Sequence, residues 1–191
     1  YAEGKEGVLI ILQAMDAAGK DSTIKHVMSG LNPQGVEVTS FKEPNSEELA
    51  HDYLWRATTK LPTRGKMAIF NRSYYEDVLV VKVRKLYKKY NMASRCLGED
   101  IIEKRYKQIC NFEEYLHENS YRVVKVFLHL SKEEQKSRFI KRIDEKIKNW
   151  KFSASDLKER ELWNDYQKAY EDAIDETSAK NAPWYVFPAD Q

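Results

Sequence analysis

Residues Val8 to Gln13 form an almost unbroken aliphatic run, and shortly beyond it Gly19-Lys20 opens a stretch of helical character. A short apolar run of this kind is the pattern of a strand covered on both faces, as in parallel sheets. The turn at Ala17-Ala18-Gly19 then carries the chain from that strand straight into a helix. Strand, loop and helix in this order confine the chain to α/β architectures in which a loop opens at the carboxyl edge of a buried strand.

The rest of the chain repeats the alternation. Val36 to Phe41, after the turn Asn32-Pro33-Gln34-Gly35, and Met67 to Phe70, Val123 to Leu130 and Trp184 to Phe187 read as further strands. Helical stretches fall between them at Ile24 to Leu31, Glu47 to Thr58, Tyr75 to Tyr90 and Ile101 to His117. The last places Ile102, Tyr106, Ile109 and Leu116 near one face. Ser131-Lys132-Glu133-Glu134 fits a capping box, so a helix is expected there, carrying Phe139, Ile143 and Ile147 inward with Arg138 and Arg142 one turn apart beside them. Ser153 with Asp156 is a second cap candidate, opening a long helix in which Trp163, Tyr166, Tyr170, Ile174 and Thr177 recur at helical spacing. The sum is a three-layer α/β/α fold with a parallel sheet of about five strands. Residues 1–191 are expected to form one domain. Because the chain begins just before the first strand and ends just after the last, it is expected to be trimmed of terminal helices.

Composition narrows the function classes. With 42% hydrophobic and 32% charged residues, low-complexity, collagenous and disordered classes are excluded. Thirty-two Lys and Arg against thirty Asp and Glu leave +2, so no nucleic-acid partner is expected and any anion site must arise from local clustering. No apolar run approaches the ~18 residues of a membrane span, and the first residues lack the regions of a signal peptide, so a soluble cytoplasmic protein without a membrane partner is expected. Cys96 and Cys110 are too few for a disulfide scaffold. His26, His51, His117 and His129 lack metal-ligand spacing, which argues against zinc.

A P-loop arranges successive backbone N–H groups and a helix N-terminus around phosphate oxygens, and its Lys adds a mobile positive charge. Ala17, Ala18, Gly19, Lys20, Asp21 and Ser22 are the candidate cradle. Against G-x-x-x-x-G-K-[ST], Ala14 replaces the first Gly and Asp21 stands where the magnesium-binding hydroxyl belongs, so an ordinary strand-to-helix turn with a solvated Lys is the plain alternative. Asp16 lies among the amides, where a carboxylate opposes bound phosphate unless a divalent cation sits between them or it accepts a proton from the attacking group. Its alternative is a turn or capping Asp, and Asp21 reads as a cap.

The stretches Ala14-Met15-Asp16-Ala17-Ala18-Gly19-Lys20-Asp21, Asn32-Pro33-Gln34-Gly35-Val36 and Phe70-Asn71-Arg72-Ser73-Tyr74-Tyr75-Glu76-Asp77-Val78-Leu79 resemble the polyphosphate kinase 2 family. So do Asn149-Trp150-Lys151-Phe152-Ser153, Asp156-Leu157-Lys158-Glu159-Arg160 and Ala182-Pro183-Trp184-Tyr185. The resemblance covers nearly the whole chain and implies a thymidylate-kinase-like P-loop kinase fold with a helical lid at about 132–160. It implies magnesium-dependent transfer of a terminal phosphoryl group between inorganic polyphosphate and nucleoside diphosphates. The pair Glu76-Asp77 is similar to the branch that also phosphorylates monophosphates, giving ADP, GDP and AMP as acceptors. A homo-oligomer, dimer or tetramer, is implied too.

Residue by residue, the resemblance makes Lys20 the donor-phosphate ligand, Asp16 the magnesium ligand with a contribution from Glu76 or Asp77, and Arg72, Arg138 and Arg142 clamps on the transferring charge. Many members carry Asp where this chain has Asn71, which shifts metal binding onto Asp16. Read without the family, Arg72 is a surface residue or a partner of Glu76, and Glu76-Asp77 is an exposed first helical turn. Arg138 and Arg142 then form a solvated basic face. Lys82, Arg84, Lys85, Lys88 and Lys89 line either a polyanion groove or solvent. Trp163, Tyr166 and Tyr170 read as core or subunit contact. The competing functions are an ATP-dependent thymidylate-kinase-like nucleotide kinase and a non-catalytic nucleotide- or polyanion-binding module.

Overall fold

The structure, a computed structural model, describes residues 3–144 and 154–190, with the backbone alone for 154–157. Five strands, β1 (Gly7–Ala14), β2 (Val36–Ser40), β3 (Met67–Asn71), β4 (Tyr121–His129) and β5 (Trp184–Pro188), form one parallel sheet in the order β2-β3-β1-β4-β5. The helices are α1 (Lys20–Met28), α2 (Ser46–Ala50), α3 (Trp55–Thr58), α4 (Val80–Val83), α5 (Ile101–Glu118), α6 (Lys132–Asp144), α7 (Ala154–Glu161) and α8 (Trp163–Thr177). The expected three-layer sandwich is the one observed. On one face of the sheet Leu9, Ile11, Phe70, Val123 and Phe127 pack with Ile102, Tyr106, Ile109 and Leu116 of α5 and with Trp163, Tyr166 and Tyr170 of α8. On the other, Leu12, Ala14, Ile69 and Leu128 pack against Ile24 of α1.

β1 is central, flanked by β3 and β4 along its length. The loop after it therefore opens where connections diverge to the two sides of the sheet, the place where open α/β sheets bind ligands. Buried on both sides, β1 needs the continuous apolar run that its sequence carries.

Four expected helices differ, the long one carrying Trp163 to Thr177 because a turn at Leu162 parts α7 from α8. Glu47 to Thr58 is broken into α2 and α3. Asn45 caps the first through a full capping box with Glu48, His51 is extended (ψ 175°) and stacks on Trp55, and Asp52 accepts from Leu54 N–H to restart the turn. Tyr75 to Tyr90 is a 3₁₀ turn at Tyr74–Asp77, then α4, then a 3₁₀ turn at Leu86–Lys89 entered through Lys85 at φ 52°. In α6 Phe139 is buried, but Ile143 is exposed. Ile147, Ser153 and the stretch 149–152 lie outside the described residues, as does the side chain of Asp156. The Ser131 cap is half of a box: its hydroxyl accepts from Glu134 N–H at 3.2 Å, but Arg138 draws the Glu134 carboxylate away (2.8 Å) and Asp190 takes the Ser131 N–H (2.8 Å). Among the described residues no helix is long and apolar enough to cross a membrane.

Candidate active site

The loop between β1 and α1 turns through Ala17 (φ 64°) and Gly19 (φ 94°). The left-handed region is open to Gly but costs an L-residue, so Ala17 marks local strain. Gly19 also faces Arg138: a Cβ there would lie 3.6 Å from its Nη1. Ala14 still belongs to β1, paired with Leu128, which explains why Gly is dispensable there. The first helical bond of α1 runs from Thr23 N–H to Gly19 C=O at 2.9 Å, so the N–H groups ahead of it have no acceptor within the helix. A helix start of this kind, with its dipole, favours an anion. Ala18 departs from the expected cradle because its N–H turns back to Met15 C=O at 3.3 Å.

Lys20 folds back over the loop and donates to Ala14 C=O at 2.9 Å and Met15 C=O at 3.4 Å. Desolvation, with the Arg72 charge behind it, pushes its amine down to about 8, against the opposing pull of Asp16, Glu76 and Asp21.

β3 ends at the same edge, beside β1. Arg72 follows at φ 63°, its N–H held by Leu12 C=O at 3.0 Å. Its guanidinium spans two carboxylates, Nη2 to Asp16 Oδ1 at 2.9 Å and Nη1 to Glu76 Oε2 at 3.4 Å. Glu76, and behind it Asp16, hold that charge firmly in place against the cost of desolvation. Asn71 donates to Asp21 Oδ1 at 2.9 Å. An Asp at position 71 would face that carboxylate with a second negative charge, so the Asn and the departure at Asp21 explain each other. Asp21 and Ser22 are both exposed at the start of α1.

α6 closes one side. Arg138 donates to Ala17 C=O at 3.1 Å, to Glu134 at 2.8 Å and to Ala189 C=O. Arg142, one turn on, lies over the Phe139 ring at 5.6 Å. Gln135 has no sequence signal and Arg160 only its place in the stretch Asp156 to Arg160, yet they fasten the two helices to the loop. Buried Gln135 donates to Asp16 C=O at 3.0 Å and accepts from Arg160, which also reaches Lys132 C=O at 2.7 Å.

The geometry thus gathers Asp16, Lys20, Arg72, Glu76 and Arg138 around one loop. It does not bring Asp77 there. That carboxylate points into the core, bonded to Arg105 at 2.6 Å with both side chains over nine-tenths buried, and Tyr90 donates to it at 3.3 Å. Burial pushes its carboxyl up despite Arg105. The acidic pair splits because consecutive side chains in a 3₁₀ turn diverge, one to the loop and one to α5. Asp77→Ala leaves the Arg105 charge buried and unpaired, so stability should drop by about 3–5 kcal/mol. Urea unfolding checks it; unchanged stability with lost turnover would return Asp77 to the chemistry.

The basic run after the site is also divided. Lys82 is spent on Asp172 (2.6 Å) and Tyr106, and Arg84 on Glu159 (3.0 Å), while Lys85, Lys88 and Lys89 are exposed. Trp163, Tyr166 and Tyr170 are core, with Tyr170 stacked on Phe127 at 4.3 Å.

A parallel sheet with this loop at its central strand and arginines closing over it is the P-loop kinase fold. A thymidylate kinase from Candida albicans shares that fold at 13% identity, with a TM-score of 0.53 over 97% of this chain and 86% of its own. The chain belongs to the polyphosphate kinase 2 family, whose model matches residues 1–191. It is 55% identical to the ADP-polyphosphate phosphotransferase of Rhodopseudomonas palustris, over all of this chain and 66% of that protein. It is 50% identical to the AMP/ADP-polyphosphate phosphotransferase of Meiothermus ruber, over all of this chain and 68% of that protein. The crystal structure of polyphosphate kinase 2 from Arthrobacter aurescens TC1 is similar at 43% identity and a TM-score of 0.89, over all of this chain and 66% of that one. The chain thus spans about two thirds of the length of these relatives.

Proposed function

We propose that this chain carries the phosphoryl-transfer centre of a polyphosphate:nucleotide phosphotransferase acting on nucleoside diphosphates and monophosphates. The convergence of Lys20, the α1 N-terminus and Arg72 on one loop at the carboxyl edge of β1 carries the reading. Two polyanions must meet end to end, and this loop brings Lys20, Arg72 and Arg138 together with the N–H groups that precede the first helical bond of α1. The names of the two relatives above support polyphosphate as donor and ADP and AMP as acceptors.

In this reading a terminal oxygen of the nucleotide phosphate attacks the end phosphorus of the chain. A new P–O bond forms as the bridging P–O bond breaks, leaving polyphosphate one unit shorter. The loop amides and Lys20 hold the donor phosphate. Arg72, with Arg138 and Arg142 from a lid spanning about 132–160, spreads over the charge as it moves. No covalent enzyme intermediate is required.

Magnesium fits the residues present. Asp16 and Glu76 supply hard carboxylate oxygens on either side of Arg72, and among the described residues no group of three His, Cys, Asp or Glu side chains forms a closed cage. That suits an ion held by one or two carboxylates and completed by substrate oxygens and water. When bound it neutralises phosphate oxygens. A cytoplasmic location and a homo-oligomer, dimer or tetramer, belong to the same reading.

A donor swap tests it. With ADP and magnesium, long-chain polyphosphate should yield ATP and a second nucleoside triphosphate should not. ATP from the nucleotide alone points to an ATP-dependent kinase, and tight binding without transfer to a non-catalytic module.

A further inference from the structure

Behind the site, on the α5 face of the sheet, lies a charged network sealed from solvent. Lys125 on β4 and Glu113 on α5 pair at 2.5 Å with side chains 0% and 2% exposed. The Glu113 Oε1 accepts from both Tyr74 and Tyr75 hydroxyls at 2.9 Å. Lys125 also donates to the Tyr75 hydroxyl at 3.0 Å and to Thr177 C=O at 2.7 Å, and the Tyr75 oxygen lies 2.9 Å from Thr177 Oγ1. Burial holds both phenols far above their usual range, so both remain donors.

A buried ion pair is a poor source of stability, since well-packed apolar groups of similar volume commonly do as well or better. What this network does is geometric. Tyr74 and Tyr75 lie, after Ser73, between Arg72 and Glu76, and the network holds from behind the turn that carries them. The turn is also tied from the loop side: Ser73 Oγ accepts from Tyr75 N–H at 3.1 Å and from buried Gln13, the last residue before Ala14, at 3.3 Å. Arg72 sits at φ 63°, a conformation a non-glycine residue keeps only where its surroundings over-determine it.

Resting on the function proposed above, we propose that Glu113, Tyr74 and Tyr75 are positioning residues: one shared carboxylate oxygen clamps the two phenols and thereby aims Arg72 and Glu76 at the phosphate loop. The acceptor does this, not the charge, so the two are separable. Glu113→Gln with Lys125→Met keeps an amide oxygen for both phenols and removes both charges. Glu113→Met with Lys125→Met removes the acceptor as well.

The first double variant should hold kcat within about threefold of the parent, and the second should lose about 30-fold with KM for polyphosphate and ADP unchanged, as expected when reacting groups are misplaced by a fraction of an ångström. Its thermal midpoint should sit a few degrees below the first, the cost of a buried phenol left without its acceptor, while the parental fold is kept. If the second fails to fold, Tyr74→Phe with Tyr75→Phe, which leaves Glu113 paired with Lys125, should show the same loss in kcat. Crystal structures add a readout without substrate: Arg72 should leave positive φ in the variants lacking the acceptor or the phenols, and keep it in the Gln/Met variant. Equal kcat in the two Glu113 variants, or Arg72 unmoved without the acceptor, overturns the proposal. If the parent transfers nothing from polyphosphate, the functional reading falls and the backbone of Arg72 still decides the positioning role.

Discussion

Lys20→Met should lower kcat for transfer from polyphosphate by about 10³-fold, in the range lost when a preorganised charge-stabilising donor is removed from a site of this kind. The fold should survive, because the amine has been taken out of water for two carbonyl contacts, at Ala14 and Met15, that an apolar side chain does not need. Calorimetry should place the thermal midpoint of the variant within a few degrees of the parent. The same residue governs pH. In the free protein its amine titrates at about 8, lowered first by desolvation and then by Arg72. Below that pH it is charged and receives phosphate. Above it the charge must be restored at the moment of binding, so kcat/KM for polyphosphate should fall about tenfold per pH unit on the alkaline side. Bound phosphate raises the amine again, so kcat should hold to higher pH than kcat/KM. For stability the sign is opposite: between about 8 and the ordinary 10.5 the unfolded chain holds a proton that the folded chain has lost, so this group favours folding increasingly as pH rises through that window. Parallel kcat and kcat/KM profiles, or a variant with a tenth of normal activity, would take Lys20 out of the donor site.

β1 and β3 were legible because each is a short apolar run, the look of a strand covered on both faces, whereas the edge strand β2 shows itself by alternation. α5 and α8 were legible because their apolar positions recur at helical spacing over many turns. The segment from Tyr74 to Lys89 was not. Its apolar residues fit helical periodicity, but the tertiary demands on it are local: Tyr74 and Tyr75 toward Glu113, Glu76 toward Arg72, Asp77 toward Arg105, and a left-handed Lys85. No periodic pattern encodes three destinations in four residues. The same reasoning explains the Glu76-Asp77 pair. Adjacent acids in a motif read as one chemical unit, and only the backbone of a 3₁₀ turn tells which of them reaches the loop. Gln135 and Glu113 were invisible because their partners lie far along the chain and their residue types are ordinary on a helix, and Arg160 stood in a family stretch that gave it no role.

Asp16→Asn tests the other half of the centre. Asp16 stands among the loop amides, one-third exposed, with its carboxylate on Arg72 at 2.9 Å. A carboxylate in an anion cradle works against phosphate binding unless a cation offsets it, so removing its charge has two opposed consequences. The asparagine side chain still offers an oxygen to Arg72, so the loop should keep its shape and the thermal midpoint should change little. Magnesium-independent binding of polyphosphate should tighten, by several-fold, because one like charge has left the cradle. Turnover should fall by about 10²–10³-fold, and the magnesium concentration for half-maximal rate should rise by at least about tenfold, since neutral amide oxygen is a weak ligand for a hard divalent ion. Tighter anion binding coupled to lost turnover is the signature that separates a metal-holding carboxylate from a structural one. If Asp16→Asn keeps the parental magnesium dependence, Glu76 is the residue left to hold the ion, because Asp77 is committed to Arg105 and Asn71 already lacks the charge.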